Sequence, residues 1–262
     1  MGDTIQANGI EMAYRFDGPE GAPVVMLSNS LATNYSMWDS QVPALSERYR
    51  VLRYDQRGHG GTQPTEPPYT FDLLRQDAVA LIQALDLDKV HFCGLSMGGM
   101  IGQQLGAKNP EVLHSLTLCD TACEMNVPEM WKQRIDTAQN DGMGALVSST
   151  LERWFTEPFR TREASKMGDI GTMIQNTPVM GFVGCCTAIA AMNHADLLPQ
   201  ISTGTLVLVG ADDPATTVDH SKVIHDAVDG SDLVILDEAA HLSNIEQPDA
   251  FNAALLAHLD KH

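Results

Sequence analysis

The chain has 262 residues, 44% hydrophobic and 19% charged, with 34 acidic side chains against 16 basic ones and a formal charge of −18. Such a length and balance describe one large globular α/β domain with a substantial core, and the negative charge argues against nucleic acid or an anionic membrane as partner. No run of 18 apolar residues occurs, the opening residues lack the basic and apolar segments of a signal peptide, and a cytoplasmic setting is expected.

Taken in order, residues 4–7 and 12–16 read as two strands joined through Asn8-Gly9, a dipeptide suited to a tight hairpin. The apolar run 22–27 is a third strand and ends in the polar loop Ser28-Asn29-Ser30-Leu31. Residues 38–49 have helical character, and residues 50–54 form a strand ending at Asp55-Gln56-Arg57-Gly58-His59-Gly60. Phe71, Leu74, Ala78, Leu81, Ile82 and Leu85 recur at helical spacing, with Thr70 as the cap and Asp72 in the first turn. Residues 89–93 are a strand, 100–108 a helix stopped by Asn109-Pro110, and 113–119 a further strand. From 122 to 199 the alternation stops, and methionine-rich helical text takes its place. It resumes with strands at 205–209 and 232–236 and helices at 219–228 and 249–259. Short apolar strands alternating with amphipathic helices imply a mostly parallel eight-stranded sheet with helices on both faces. Residues 1–121 and 200–262 are expected to form this core, with 122–199 inserted as a helical cap.

The chemistry starts at Gly94-Leu95-Ser96-Met97-Gly98, a G-x-S-x-G between a strand and a helix. So sharp a turn leaves no room for side chains at Gly94 and Gly98, so the Ser96 hydroxyl projects alone above the sheet edge. The Met97 N–H, at a helix N-terminus, points at the same space and offers half of an oxyanion hole. Serine needs a base oriented by a carboxylate. Among nine histidines, His241 follows the last strand through Ala239-Ala240 and precedes the final helix, where a loop can lower its imidazole onto Ser96. Asp213, after a strand–glycine turn, is the preferred acid, with Asp212 and Asp120 as rivals. The second oxyanion donor is expected at the Leu31 N–H, whereas Arg57 and His59 read as structural. The five cysteines lack zinc-ligand spacing and read as reduced core thiols, so neither metal nor cofactor is expected. Residues 129–166 carry six basic and six acidic side chains, the one stretch where an anion meets cations without a repulsive background.

These residues carry a resemblance along nearly the whole chain. The frame resembles an α/β-hydrolase with a cap, in which Ser, Asp and His follow in that order. More narrowly it is similar to the 3-oxoadipate enol-lactonases of aromatic breakdown. The matching pieces are Leu27-Ser28-Asn29-Ser30-Leu31, Tyr35-Ser36-Met37-Trp38, Val51-Leu52-Arg53-Tyr54-Asp55, Phe92-Cys93-Gly94-Leu95-Ser96-Met97-Gly98-Gly99, Arg153-Trp154-Phe155 and His241-Leu242-Ser243-Asn244-Ile245-Glu246. Ala32 departs from the family, standing where a glycine is usual. The resemblance implies a carboxylic ester hydrolase acting on a small lactone or ester that bears a carboxylate. Trp131 with Arg134, one helical turn apart, or Arg153 with Trp154 are the candidates to hold that carboxylate, although each tryptophan also reads as packing. The rival readings are another capped hydrolase (a carboxylesterase, a carbon–carbon bond hydrolase or a cofactor-free perhydrolase), a non-catalytic binding protein and a metalloenzyme. Oligomeric state is left open.

Overall fold

The computed structural model describes residues 2–262. Its strands are β1 (Asp3–Ala7), β2 (Ile10–Asp17), β3 (Val24–Ser28), β4 (Arg50–Tyr54), β5 (Val90–Leu95), β6 (Leu113–Cys119), β7 (Thr205–Gly210) and β8 (Asp232–Leu236). They form one sheet in the order β1-β2-β4-β3-β5-β6-β7-β8. β2 is antiparallel to both its neighbours, and every other pair is parallel. β3, β5 and β7 are buried along their whole length, as continuous apolar strands covered on both faces must be.

The helices are α1 (Val42–Leu45), α2 (Phe71–Ala84), α3 (Met97–Lys108), α4 (Pro128–Asp141), α5 (Val147–Trp154), α6 (Glu157–Arg162), α7 (Ala164–Gln175), α8 (Val179–Ala190), α9 (Val218–Ala227), α10 (Ser243–Glu246) and α11 (Pro248–Leu259). α2 begins as its sequence suggests: the Thr70 side chain accepts the Leu73 N–H, and Phe71, Leu74, Ala78, Leu81 and Ile82 are its buried apolar face. One expectation needs correcting. Residues 38–49 are not a single helix but a 3₁₀ turn (Tyr35–Trp38) followed by the one-turn α1. Pro43 explains the break, since it has no N–H to bond backwards and its ring clashes with the carbonyl four residues earlier; it is tolerated only in a first turn, where it sits.

Two features of the topology position the site. β4 lies on one side of β3 and β5 on the other, so the chain changes direction there and opens a crevice at the carboxyl ends of β3 and β5. Between β6 and β7 the chain carries α4 to α8, leaving and rejoining the sheet at an isolated bridge between Glu124 and Asn193. Among the described residues, no single helix is long and apolar enough to cross a membrane.

Candidate active site

Ser96 caps α3 with φ +56° and ψ −113°, a left-handed conformation that costs a non-glycine residue energy and places its side chain at the crevice. The turn is as tight as its glycines suggest. A Cβ on Gly94 would lie 2.1 Å from the Gly98 carbonyl oxygen, and one on Gly98 would lie 2.1 Å from that of Ser28. Only glycine allows β5 and α3 to close on each other and on β3.

The three side chains singled out above meet. His241 Nε2 is 2.9 Å from Ser96 Oγ, and His241 Nδ1 is 2.8 Å from Asp213 Oδ2. With Asp213 accepting from Nδ1–H, Nε2 carries the lone pair that receives the serine proton; this tautomer follows from the hydrogen-bond network. Asp213 Oδ1 also accepts the N–H groups of Ala215 and Thr216, at 2.7 and 3.0 Å, and Oδ2 accepts the Thr216 hydroxyl at 2.7 Å. Burial alone would raise the pKa of this carboxyl. The His241 charge and hydrogen bond, followed by the donors of Thr216, outweigh burial and hold it below the ordinary aspartate value, so it is ionised. Asp212 is exposed, and Asp120 is fully buried but turned to other partners.

The backbone N–H groups near Ser96 divide into those with an acceptor and those without. In the loop after β3, the Ser30 N–H meets Met37 Sδ, the Ala32 N–H donates to His59 Nε2 at 3.0 Å, and the Thr33 N–H reaches the Ser30 carbonyl. The Gly98 N–H donates to the Asn29 carbonyl at 3.0 Å and so ties this loop to the elbow. Leu31 and Met97 are left with N–H groups that find no acceptor among the described residues, one on each side of Ser96. Ala32 adopts φ +62° despite its Cβ, and His59 holds its N–H in that conformation. Burial pushes the His59 pKa down to about 4, so the ring is neutral and Nε2 accepts. Arg57 pairs with buried Asp77 and is structural, as expected.

A cavity of about 320 Å³ opens over Ser96 and His241. Its wall includes Trp131 and Arg134 from α4 together with Arg153 and Trp154 from α5, so the two alternative pairs share one chamber. The Trp131 indole N–H, Arg134 Nε and Arg153 Nη2 are all buried without a partner. Among the described residues no carboxylate lies within ion-pair distance of either guanidinium. Burial, then the Arg153 charge, pushes the Arg134 pKa down to about 10, which still leaves it cationic at neutral pH. The Arg134 guanidinium sits 5.5 Å from the Trp131 ring and 5.6 Å from that of Phe182. Arg134 and Arg153 thus place two cations without a carboxylate partner in the wall of one chamber. Sequence reading missed Thr216 and His220, the latter in the cavity wall with Nδ1 accepting the Thr217 N–H. The only sequence signal for Thr216 was its place three residues after an aspartate, the spacing of an Asx turn.

The fold sets this serine, imidazole and carboxylate arrangement in the frame of a hydrolase. The model of the α/β-hydrolase fold matches residues 23–248, and the chain belongs to that family. It is 35% identical to 3-oxoadipate enol-lactonase 1 of Acinetobacter baylyi over 93% of this chain and 91% of that one. The second such enzyme of the same organism is 34% identical, over 97% and 95% respectively. Among solved structures, the enol-lactonase from Burkholderia xenovorans superposes with a TM-score of 0.97 at 38% identity, covering 98% of this chain and all of that one.

Proposed function

We propose that this chain hydrolyses 3-oxoadipate enol-lactone, a small cyclic enol ester with a free carboxylate formed in aromatic breakdown, as a cytoplasmic enzyme. Residues 122–199 act as a cap over the site. The observation that carries the reading is the pair of cations, Arg134 and Arg153, that line the cavity of Ser96 and His241 with no carboxylate among the described residues to pair with. An ordinary neutral ester would leave two buried cations uncompensated, whereas a carboxylated lactone satisfies them as its ring carbonyl meets the hydroxyl. The similarity to enol-lactonases supports the same substrate.

In this mechanism Ser96 Oγ attacks the ring carbonyl as its proton passes to His241 Nε2, and Asp213 stabilises the imidazolium. The Leu31 and Met97 N–H groups receive the oxyanion, each contributing about 3 kcal/mol to the barrier reduction. Collapse breaks the ring carbon–oxygen bond. The enol oxygen takes the proton from His241, and the freed enol tautomerises to the ketone. A water deprotonated by His241 then cleaves the acyl-serine and restores the hydroxyl.

The test compares kcat/KM for the enol-lactone with that for p-nitrophenyl acetate, which lacks the carboxylate. The expected ratio is at least about a hundredfold in favour of the lactone. Equal or reversed preference contradicts the proposal and favours a carboxylesterase.

A further inference from the structure

The tripeptide Cys119-Asp120-Thr121, at the end of β6, touches all three loops that deliver the triad. The Cys119 carbonyl accepts the Ser96 N–H, and the Thr121 hydroxyl donates to the Ser96 carbonyl, both at 2.8 Å. Between them Asp120, fully buried and with φ +43°, reaches the other two loops. Its Oδ1 accepts the Gly210 N–H at 2.8 Å, at the strand end that leads into Asp213. Its Oδ2 accepts the hydroxyl of Ser243, two residues after His241, at 2.5 Å. The Asp120 N–H itself is anchored to Leu208 in β7 at 2.8 Å.

We propose that Asp120 is a positioning residue: its carboxyl clamps the strand end bearing Asp213 to the loop bearing His241, and so sets the hydrogen bond between acid and base without touching substrate. The proposal rests on the triad reading above. A buried carboxyl at a left-handed, non-glycine position is costly, and this one reaches both loops through a single side chain. Both its oxygens are engaged away from His241, so it does not compete with Asp213 for the imidazole. Burial, then the charge of Asp213, pushes its pKa well above the ordinary aspartate value. Asparagine keeps an acceptor for the Gly210 N–H and offers its amide N–H to the Ser243 oxygen once that hydroxyl rotates from donor to acceptor, so both clamp contacts survive.

The experiment measures the rate of Ser96 labelling by a fluorophosphonate across pH, per folded molecule, so that it does not depend on the identity of the substrate. Asp120→Ala is expected to label about tenfold to a hundredfold more slowly than wild type, because a displaced imidazole loses its alignment. Asp120→Asn is expected to recover the rate to within about threefold. Ser243→Ala, which removes one of the two clamp bonds, is expected to fall between them and serves as the readout if Asp120→Ala does not fold. Wild-type rates in Asp120→Ala or Ser243→Ala overturn the proposal, as does a folded Asp120→Asn no faster than Asp120→Ala. A wild type that fails to label sinks the triad reading and this proposal together, which distinguishes that failure from the others.

Discussion

Replacing Arg134 or Arg153 is expected to act in opposite directions on stability and on binding, which separates an anion receptor from a structural element. Each is a partly buried cation with no carboxylate partner. Arg134→Ala and Arg153→Ala are therefore expected to raise KM for the lactone tenfold or more, about 1.5–3 kcal/mol for a charge-assisted contact, with kcat changed little. Their melting temperatures should hold or rise, because an uncompensated charge leaves the interior. Unchanged KM in both variants contradicts the assignment of the anion site. At His59 the expectation is reversed. Removing the ring in His59→Ala orphans the buried Ala32 N–H, at a cost of about 1–3 kcal/mol, and frees the loop that presents the Leu31 donor. Steady-state kinetics should then show kcat falling while KM stays level; a loss confined to stability would make the histidine purely structural.

Between elements, the helices of residues 122–199 and the loop of His241 are stapled together. The buried Glu246 carboxylate of α10 accepts from the Thr156 N–H and hydroxyl and from the Ala240 N–H, and the Leu242 N–H donates to the Trp154 carbonyl. The wall that carries Arg153 and Trp154 thus moves with His241. Glu246→Ala leaves three donors without an acceptor and is expected to cost about 3 kcal/mol or more in urea denaturation, with Glu246→Gln milder. A loss under about 0.5 kcal/mol contradicts the staple, as that is the size of an ordinary surface change.

The alternation of strands and helices was legible in the sequence because buried parallel strands are continuous apolar runs. The elbow was legible because Gly94 and Gly98 announce a turn that excludes side chains. The roles of Asp120, Ser243 and Glu246 were not, although the residues stood out, because their bonds join positions some 90 to 120 apart and leave no local pattern. The split at Pro43 shows the opposite fault: apolar spacing suggested a helix, and one missing N–H decided against it.

As a whole the molecule should be acid-labile. His59, His91, His194 and His258 are buried, and burial pushes the pKa of each down to about 4. Unfolding returns them to about 6.5, so between those values the unfolded chain binds more protons and stability falls as pH falls. Each imidazole contributes at most about 1.4 kcal/mol per pH unit in that window. Asp55 acts in the opposite sense, since burial raises its pKa to about 6 and its protonation favours the folded state as pH falls towards 4. Four histidines outweigh it, and urea midpoints are expected to decline steadily from pH 6.5 to 4.5. A flat profile would contradict the neutral, buried state of these rings.

Under the proposed function Ser96 opens the lactone ring. Ultraviolet monitoring of enol-lactone consumption by wild type and Ser96→Ala, at equal concentrations of folded protein, decides whether it does. The variant is expected to be slower by at least about ten-thousandfold; equal rates would refute Ser96 as the nucleophile.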